Sequence, residues 1–388
     1  MRTIRVAHVI TRLCKGGAQE NTFQTVRLAN RDRFKVDLIS GPTRGREGSI
    51  EDAVREAGIE VVRVPALVRA PAPVRDLSAL YGLTRLFKER RYDIVHTHTS
   101  KAGFLGRLAA YRAGVSIIVH TPHGNIFHGY FPKCVTRVFV WMERHAARRT
   151  DRIIELTPAG IDEHLAEWIG RPEQFVAVFS GIDLAPFDRA VERRDATRRR
   201  LGFGPETFVV GAAGRLAPIK GFTHFVAAAH RLAEAAPEAR FILAGQGSGM
   251  HELRRQAAGL GERFQFLGLR DDMADLMAAM DVFVLPSLNE GMGRVLLEAG
   301  AAGTPAVATA VGGVPDIIEH ARTGMLVPPR DPQAIAEAVS ALRRDPERRR
   351  ALGRAARERI DPAYGLEPMV ARIEALYEEL IEAKGLEA

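Results

Sequence analysis

Residues 281–302 read DVFVLPSLNEGMGRVLLEAGAA. After Asp281, residues 282–286 form a short apolar run closed by Pro286, a pattern that predicts a strand buried on both faces. A loop carrying Gly291 and Gly293 follows, and then a helical run. Such a loop brings free backbone N–H groups and the positive end of a helix dipole to the strand's carboxyl end, which suits a phosphate. Glu290 lies in the loop and Glu298 about two turns into the expected helix. Ionised carboxylates are good acceptors for sugar and ribose hydroxyls. The same residues also read as an ordinary helix with one acidic residue near its start and one facing solvent, and the stretch alone does not choose.

The pattern recurs on both sides. Upstream, GAAGRLAPIKGF (211–222) places Arg215 and Lys220 in a loop broken by Gly214, Pro218 and Gly221. Two cations beyond a strand end suit a diphosphate, since Arg binds it bidentately and Lys as a point charge; a solvated basic loop is the plainer reading. Short apolar runs alternating with helical patterns predict strands over 208–213, 240–244, 264–266, 282–286, 305–309 and 324–327. The first half predicts them over 4–10, 35–40, 60–64, 93–97, 116–121 and 152–156, with helices such as 49–56 and 77–90 between. The alternation restarts after a break near residues 181–200. An α/β chain of two doubly wound, Rossmann-like domains is therefore expected, with ligands beyond the carboxyl ends of the strands.

Bulk properties agree. The 388 residues exceed one ordinary core. Hydrophobic content of 46% and charged content of 26% describe an ordinary soluble balance. No window approaches about 18 consecutive apolar residues, so no membrane span is expected, and the short run broken by Arg12 reads as a first strand rather than a signal peptide. Cys14 and Cys134 cannot build a disulfide framework, which fits a reducing cytoplasm. The formal charge of +8 suggests an anionic partner. The Arg343, Arg344, Arg348, Arg349, Arg350 cluster has no interleaved aromatics and is read as a solvated face, not a nucleic-acid site.

With these residues in hand, a resemblance becomes specific. AAGRLAPIKGF, LAGQG, FLG, LPSLNEGMGRVLLEAGAAGTPAVATAVGGVPDII and TGMLVPP follow in order, nearly filling residues 205–360. Together they resemble the nucleotide-sugar half of the family 4 glycosyltransferases of GT-B fold. The resemblance implies two Rossmann-like domains facing a central cleft. An N-terminal acceptor domain would span 1–185, a nucleotide-sugar domain 186–365, and a last helix (366–388) would pack back on the first. It implies a retaining transfer without a metal or other cofactor. Glu298 would bind the ribose, Glu290 the donor sugar, and Arg215 with Lys220 the diphosphate; Gly214, Gly291, Met292 and Gly293 complete that donor set. In the first half Gly16 and Gly17 precede a helix after the first strand, again a phosphate-cradling arrangement. HTHTSKAGFLGRLAAYRAGVSIIVHTPHGN (96–125) resembles members that build bacterial surface glycans; by that resemblance His123 would contact the donor sugar, a turn histidine capping the strand end being the plainer reading. Ser180 stands where many relatives carry Asn. Arg294 stands where many carry a small or amide residue, which leaves the choice of nucleotide or sugar open; UDP is expected over GDP.

Other readings compete. Gly245, Gly247 and Gly249 begin like a dinucleotide fingerprint, but Met250 stands where it needs Gly or Ala. His96 and His98 share one strand face, and His120, His123 and His128 lie nearby, a set that a metal-dependent hydrolase could use; strand-end histidines lining a polar cleft are the alternative. No Asp-x-Asp pair for a divalent ion is present. A nucleotide-sugar epimerase shares the fold and is not excluded, whereas a sugar-binding module without catalysis does not need the full donor set. Finally, Phe127, Tyr130, Phe131, Phe139 and Trp141 precede Arg144, Arg148, Arg149 and Arg152. Rings followed by cations suit a peripheral contact with an anionic membrane surface, and a lipid-linked glycan acceptor at the inner face of the plasma membrane would match. Val138, Val140 and Trp141 as helix core, with a solvated arginine face, is the alternative.

Overall fold

The computed structural model describes residues 2–45, 48–124 and 132–386. Its backbone divides into two compact units, residues 1–181 with 366–388, and residues 182–365.

The first unit holds a seven-stranded parallel sheet: β1 (Ile4–Ile10), β2 (Phe34–Ser40), β3 (Val61–Arg63), β4 (Ile94–His98), β5 (Ile117–Thr121), β6 (Arg152–Glu155) and β7 (Phe175–Ala177), in the order β3-β2-β1-β4-β5-β6-β7. In β1 only Arg5 is exposed, as a parallel strand covered on both faces requires. Alternate residues feed two cores. Ala7, Val9 and Val95 pack with Leu80, Leu83 and Phe87 of the helix Pro73–Arg90 and with Leu105 and Ala109 of the helix Ser100–Ala113. Val6, Ile94, Ile117 and Val119 pack instead with Leu366, Met369, Val370, Ile373, Tyr377, Leu380 and Ile381 of the C-terminal helix Leu366–Ala383. Those helix positions form one apolar stripe.

The second unit holds six parallel strands: β8 (Phe208–Ala213), β9 (Ala239–Ala244), β10 (Phe264–Gly268), β11 (Val282–Leu285), β12 (Ala306–Thr309) and β13 (Gly324–Val327), in the order β10-β9-β8-β11-β12-β13. Strand order reverses between β8 and β11 here, and between β1 and β4 in the first unit. Crevices at such switch points are where open α/β sheets bind ligands.

Three expectations need correction. Strand β7 was not anticipated: its three half-buried residues, FVA, show no alternation. The helix after β11 begins at Arg294, so Glu298 is its fifth residue and sits little more than one turn in. On the helix Lys133–Ala147 only Val140 of the supposed core trio is buried, while Val138 is 56% and Trp141 63% exposed. Phe127, His128, Tyr130 and Phe131 lie outside the described residues.

Candidate functional site

In the second unit the loops leaving β8, β9, β11 and β12 converge through backbone contacts. The amide of Leu288 donates to the Ile219 carbonyl at 2.8 Å, and that of Gly313 to the Glu290 carbonyl at 3.2 Å. Glycine is required where they touch. A Cβ on Gly221 (φ +62°) would stand 2.0 Å from the Pro286 carbonyl oxygen, and one on Gly312 (φ +49°) 1.9 Å from that of Glu290. Gly245 and Gly247 do the same work against the carbonyls of Gly214 and Leu216. The run that began like a dinucleotide fingerprint therefore serves loop packing.

This scaffold joins two of the expected residues. Lys220 Nζ donates to Glu290 Oε1 at 2.6 Å, and Ser287 Oγ donates to the same oxygen at 2.6 Å. Glu290 is buried and Lys220 largely so. Ser287 is itself held, its carbonyl accepting from Thr309 Oγ1 at 2.5 Å. Arg215 is exposed at the end of β8, and its guanidinium has no partner among the described residues. Met292 and Gly293 are buried, and Gly293 (φ +76°) stands at the N-cap of the helix Arg294–Ala301 with no side chain capping it. The first-turn amides there present a positive dipole end. Glu298 is half-buried on that helix. The Nε of Arg294 is buried without a partner among the described residues.

In the first unit Gly16 is the N-cap of the helix Gly17–Leu28, likewise without a side-chain cap. His123 follows β5 at φ +62°. Its Nε2 lies 2.9 Å from His98 Nδ1, and His98 Nε2 lies 2.9 Å from His8 Nδ1. His8 Nε2 reaches the Tyr377 hydroxyl at 3.3 Å, which is 2.6 Å from His96 Nδ1; His96 Nε2 meets Thr121 Oγ1 at 2.8 Å. His8, His96 and His98 are buried, so they form an internal chain and do not line a polar cleft. Burial holds His8 down at about 3, with Arg31 adding to the shift. Burial also holds His96, His98 and His123 below their usual value, so these imidazoles are neutral.

Sequence reasoning missed Ser287, Thr309, His8 and Tyr377. Strand alternation alone puts His8 on the Val6 face, but only the register that sets it opposite His96 brings the two together. The expected arginine face is also thinner than it looked. Arg144 donates to the Glu167 carbonyl, Arg149 lies 5.0 Å over the Tyr111 ring, and Arg152 pairs with Glu379 at 2.7 Å.

Comparison with known proteins fits this geometry. Residues 16–181 match the glycosyl transferase 4-like domain and residues 207–345 the group 1 glycosyl transferases. The chain is 31% identical over 386 residues to an Escherichia coli protein named UDP-Gal:alpha-D-GlcNAc-diphosphoundecaprenol alpha-1,3-galactosyltransferase, covering 98% of each chain. Among solved structures it is similar to Anabaena HepE, determined with UDP and glucose (TM-score 0.83, 24% identity, 97% of this chain and 100% of that one). It is similar also to WaaG, a glycosyltransferase involved in lipopolysaccharide biosynthesis (TM-score 0.75, 20% identity, 95% and 99%). Two parallel α/β units, family matches over residues 16–181 and 207–345, and a full-length relative at this identity place the chain in the group 1, family 4-like glycosyltransferases of GT-B fold, enzymes that use nucleotide sugars.

Proposed function

We propose that this enzyme moves a hexose from a UDP-sugar, with retention of anomeric configuration and without a metal, to a hydroxyl of a lipid-diphosphate-linked glycan at the cytoplasmic face of the plasma membrane. The observation that carries the reading is the Lys220–Glu290 pair held by Ser287 at the β8–β11 switch point. A cation and a carboxylate kept side by side at a strand end offer charge to a departing diphosphate and an acceptor to a sugar hydroxyl. Lys220, Arg215 and the amides at the Gly293 helix start stabilise the nucleoside diphosphate as negative charge develops on it. Glu298 takes the ribose and Glu290 the donor sugar. Gly214, Gly291 and Met292 shape the loops around them. The amides following Gly16 and Gly17 are a second anion-binding turn, and His123 serves the donor sugar. No carboxylate is assigned as a nucleophile; the leaving phosphate accepts the proton of the acceptor hydroxyl. The first unit provides the acceptor side.

The E. coli relative's name, with its UDP donor and undecaprenol-linked acceptor, supports both substrate classes. Among the described residues no helix is long and apolar enough to cross a membrane. The helix Lys133–Ala147 supports a peripheral contact, because Val138, Trp141 and Arg148 are exposed along one side of it. The test is a donor screen over UDP-galactose, UDP-glucose, UDP-N-acetylglucosamine and GDP-mannose, with a polyprenyl-diphosphate N-acetylglucosamine acceptor. UDP release that depends on the acceptor is expected. Release of GDP alone, or transfer only to water-soluble sugars, contradicts the reading.

A further inference from the structure

His123, His98, His8, Tyr377, His96 and Thr121 form one continuous hydrogen-bonded chain running from the end of β5 through the interior to the C-terminal helix and back to β5. A neutral imidazole has one N–H and one lone pair. His98 and His8 each face another ring nitrogen on one side and a ring or phenol on the other, so each donates once and accepts once. Tyr377 is buried between two rings and its O–H must also be given to one of them, so the chain has only two polarities. In one, all four histidines carry the proton on Nε2, and Tyr377 accepts from His8 and donates to His96. In the other, all four carry it on Nδ1, and Tyr377 accepts from His96 and donates to His8.

The distances at Tyr377 choose between them. Hydrogen bonds donated by O–H are shorter than those donated by N–H. The hydroxyl is 2.6 Å from His96 Nδ1 and 3.3 Å from His8 Nε2. The short contact is the phenol's donation, and the long one is the His8 N–H reaching the phenol oxygen. Every ring is then an Nε2–H tautomer. His123 is left with a lone pair on Nδ1, which has no partner among the described residues. We propose that His8, His96, His98, Tyr377 and Thr121 are positioning residues that set the tautomer of His123, so that its Nδ1 accepts a hydrogen bond from a hydroxyl of the donor sugar. The last clause rests on the reading of His123 given under the proposed function; the tautomer assignment does not.

A metal site is the competing use of these rings, since His8, His96 and His98 each offer a nitrogen within 4.8 Å of the others. The His8 and His98 nitrogens are instead joined to each other, and among the described residues no carboxylate is hydrogen-bonded to the cluster to balance a buried cation.

The test uses the full chain with 15N-labelled histidine, free of ligand, its tautomers read from long-range 15N–1H correlations and His123 assigned by comparison with His123→Asn. Wild type is expected to show His8, His96, His98 and His123 as Nε2–H. Tyr377→Phe leaves the His8 N–H buried without an acceptor, so His8, His98 and His123 are expected to turn over to Nδ1–H, where the N–H falls at the free end of the chain. Thr121→Val removes the acceptor of His96 and is expected to turn over the whole chain without removing a ring; Thr121→Ser is expected to restore it. With the tautomer reversed, kcat/KM for the nucleotide sugar is expected to fall about tenfold while affinity for free UDP is unchanged, the loss of one hydrogen bond to the sugar. A wild-type His123 in the Nδ1–H form, tautomers indifferent to both variants, or stoichiometric zinc whose removal shifts these resonances would overturn the proposal. Tautomers that turn over as expected with unchanged kinetics would overturn only the donor-side role of His123.

Discussion

Glu290 has two partners on one oxygen, and one of them is a cation. That arrangement decides what substitutions there do. Lys220→Met removes the charge beside a buried carboxylate, so a stability loss of about 1–3 kcal/mol is expected from the ion left behind, together with a fall in turnover on the order of 10²–10³ from the lost stabilisation of the leaving group. Glu290→Gln keeps the shape and removes the charge. In the double variant the melting temperature is expected to recover while turnover stays low. Thermal melts beside steady-state transfer rates separate the two effects; if Lys220→Met retains near-normal turnover, the diphosphate role is wrong. Arg215→Ala is expected to lower turnover without lowering the melting temperature, since Arg215 is exposed at a strand end. Much of this was legible in the residues themselves: Glu290, Lys220 and Arg215 stand in glycine-broken loops just past apolar runs. Their pairing was not, because Lys220 follows β8 and Glu290 follows β11, and nothing local says that these non-consecutive strands are neighbours.

The buried histidines of β1, β4 and β5 and the helix Lys133–Ala147 make separate predictions. His8, His96, His98 and His120 are neutral in the folded chain, with burial as the first cause in each case. Their folded values lie below the unfolded value near 6.5, so the unfolded chain binds more protons below that pH. Their contribution is complete above pH 6.5 and is lost as pH falls, by about 1.4 kcal/mol per pH unit for each group, down to about 3 for His8. Urea unfolding from pH 7 to 5 is expected to show a steep loss of stability, flattened in His8→Phe; a pH-independent midpoint would argue against the neutral assignment. The helix predicts binding to vesicles containing phosphatidylglycerol, weakening as salt rises. Arg148→Ala is expected to lower the affinity about fivefold, a cation at the surface contributing about 1 kcal/mol, and Trp141→Ser is expected to lower it through the lost ring at the boundary. Arg149→Glu is expected to affect folding more, because Arg149 bonds the His145 carbonyl and lies over Tyr111. Indifference of the wild type to anionic vesicles at low salt would favour a soluble acceptor. The sequence shows the rings and cations of this helix; which of them face solvent is set by packing against Ile153 and Ile169, which buries Val140 and leaves Val138 and Trp141 exposed, against the alternative that made all three core.

Over the whole molecule, the restart of alternating apolar runs was enough to read two α/β units, because strands buried on both faces leave continuous apolar signatures such as IRVAHVI and FVVGAA. Short half-exposed β7 leaves none. Retaining transfer of a sugar from UDP to a lipid-diphosphate-linked acceptor with no metal leaves its mark on the product. Product analysis tests it most directly: the protein is incubated with UDP-sugar and polyprenyl-diphosphate N-acetylglucosamine in excess EDTA, and the anomeric configuration of the product is read by NMR. An α-linked product from an α-linked donor, one UDP released per bond formed, and no loss of rate in EDTA are expected. A β-linked product, an epimerised UDP-sugar formed without acceptor, or activity abolished by EDTA and restored by Mg²⁺ or Mn²⁺ would contradict it.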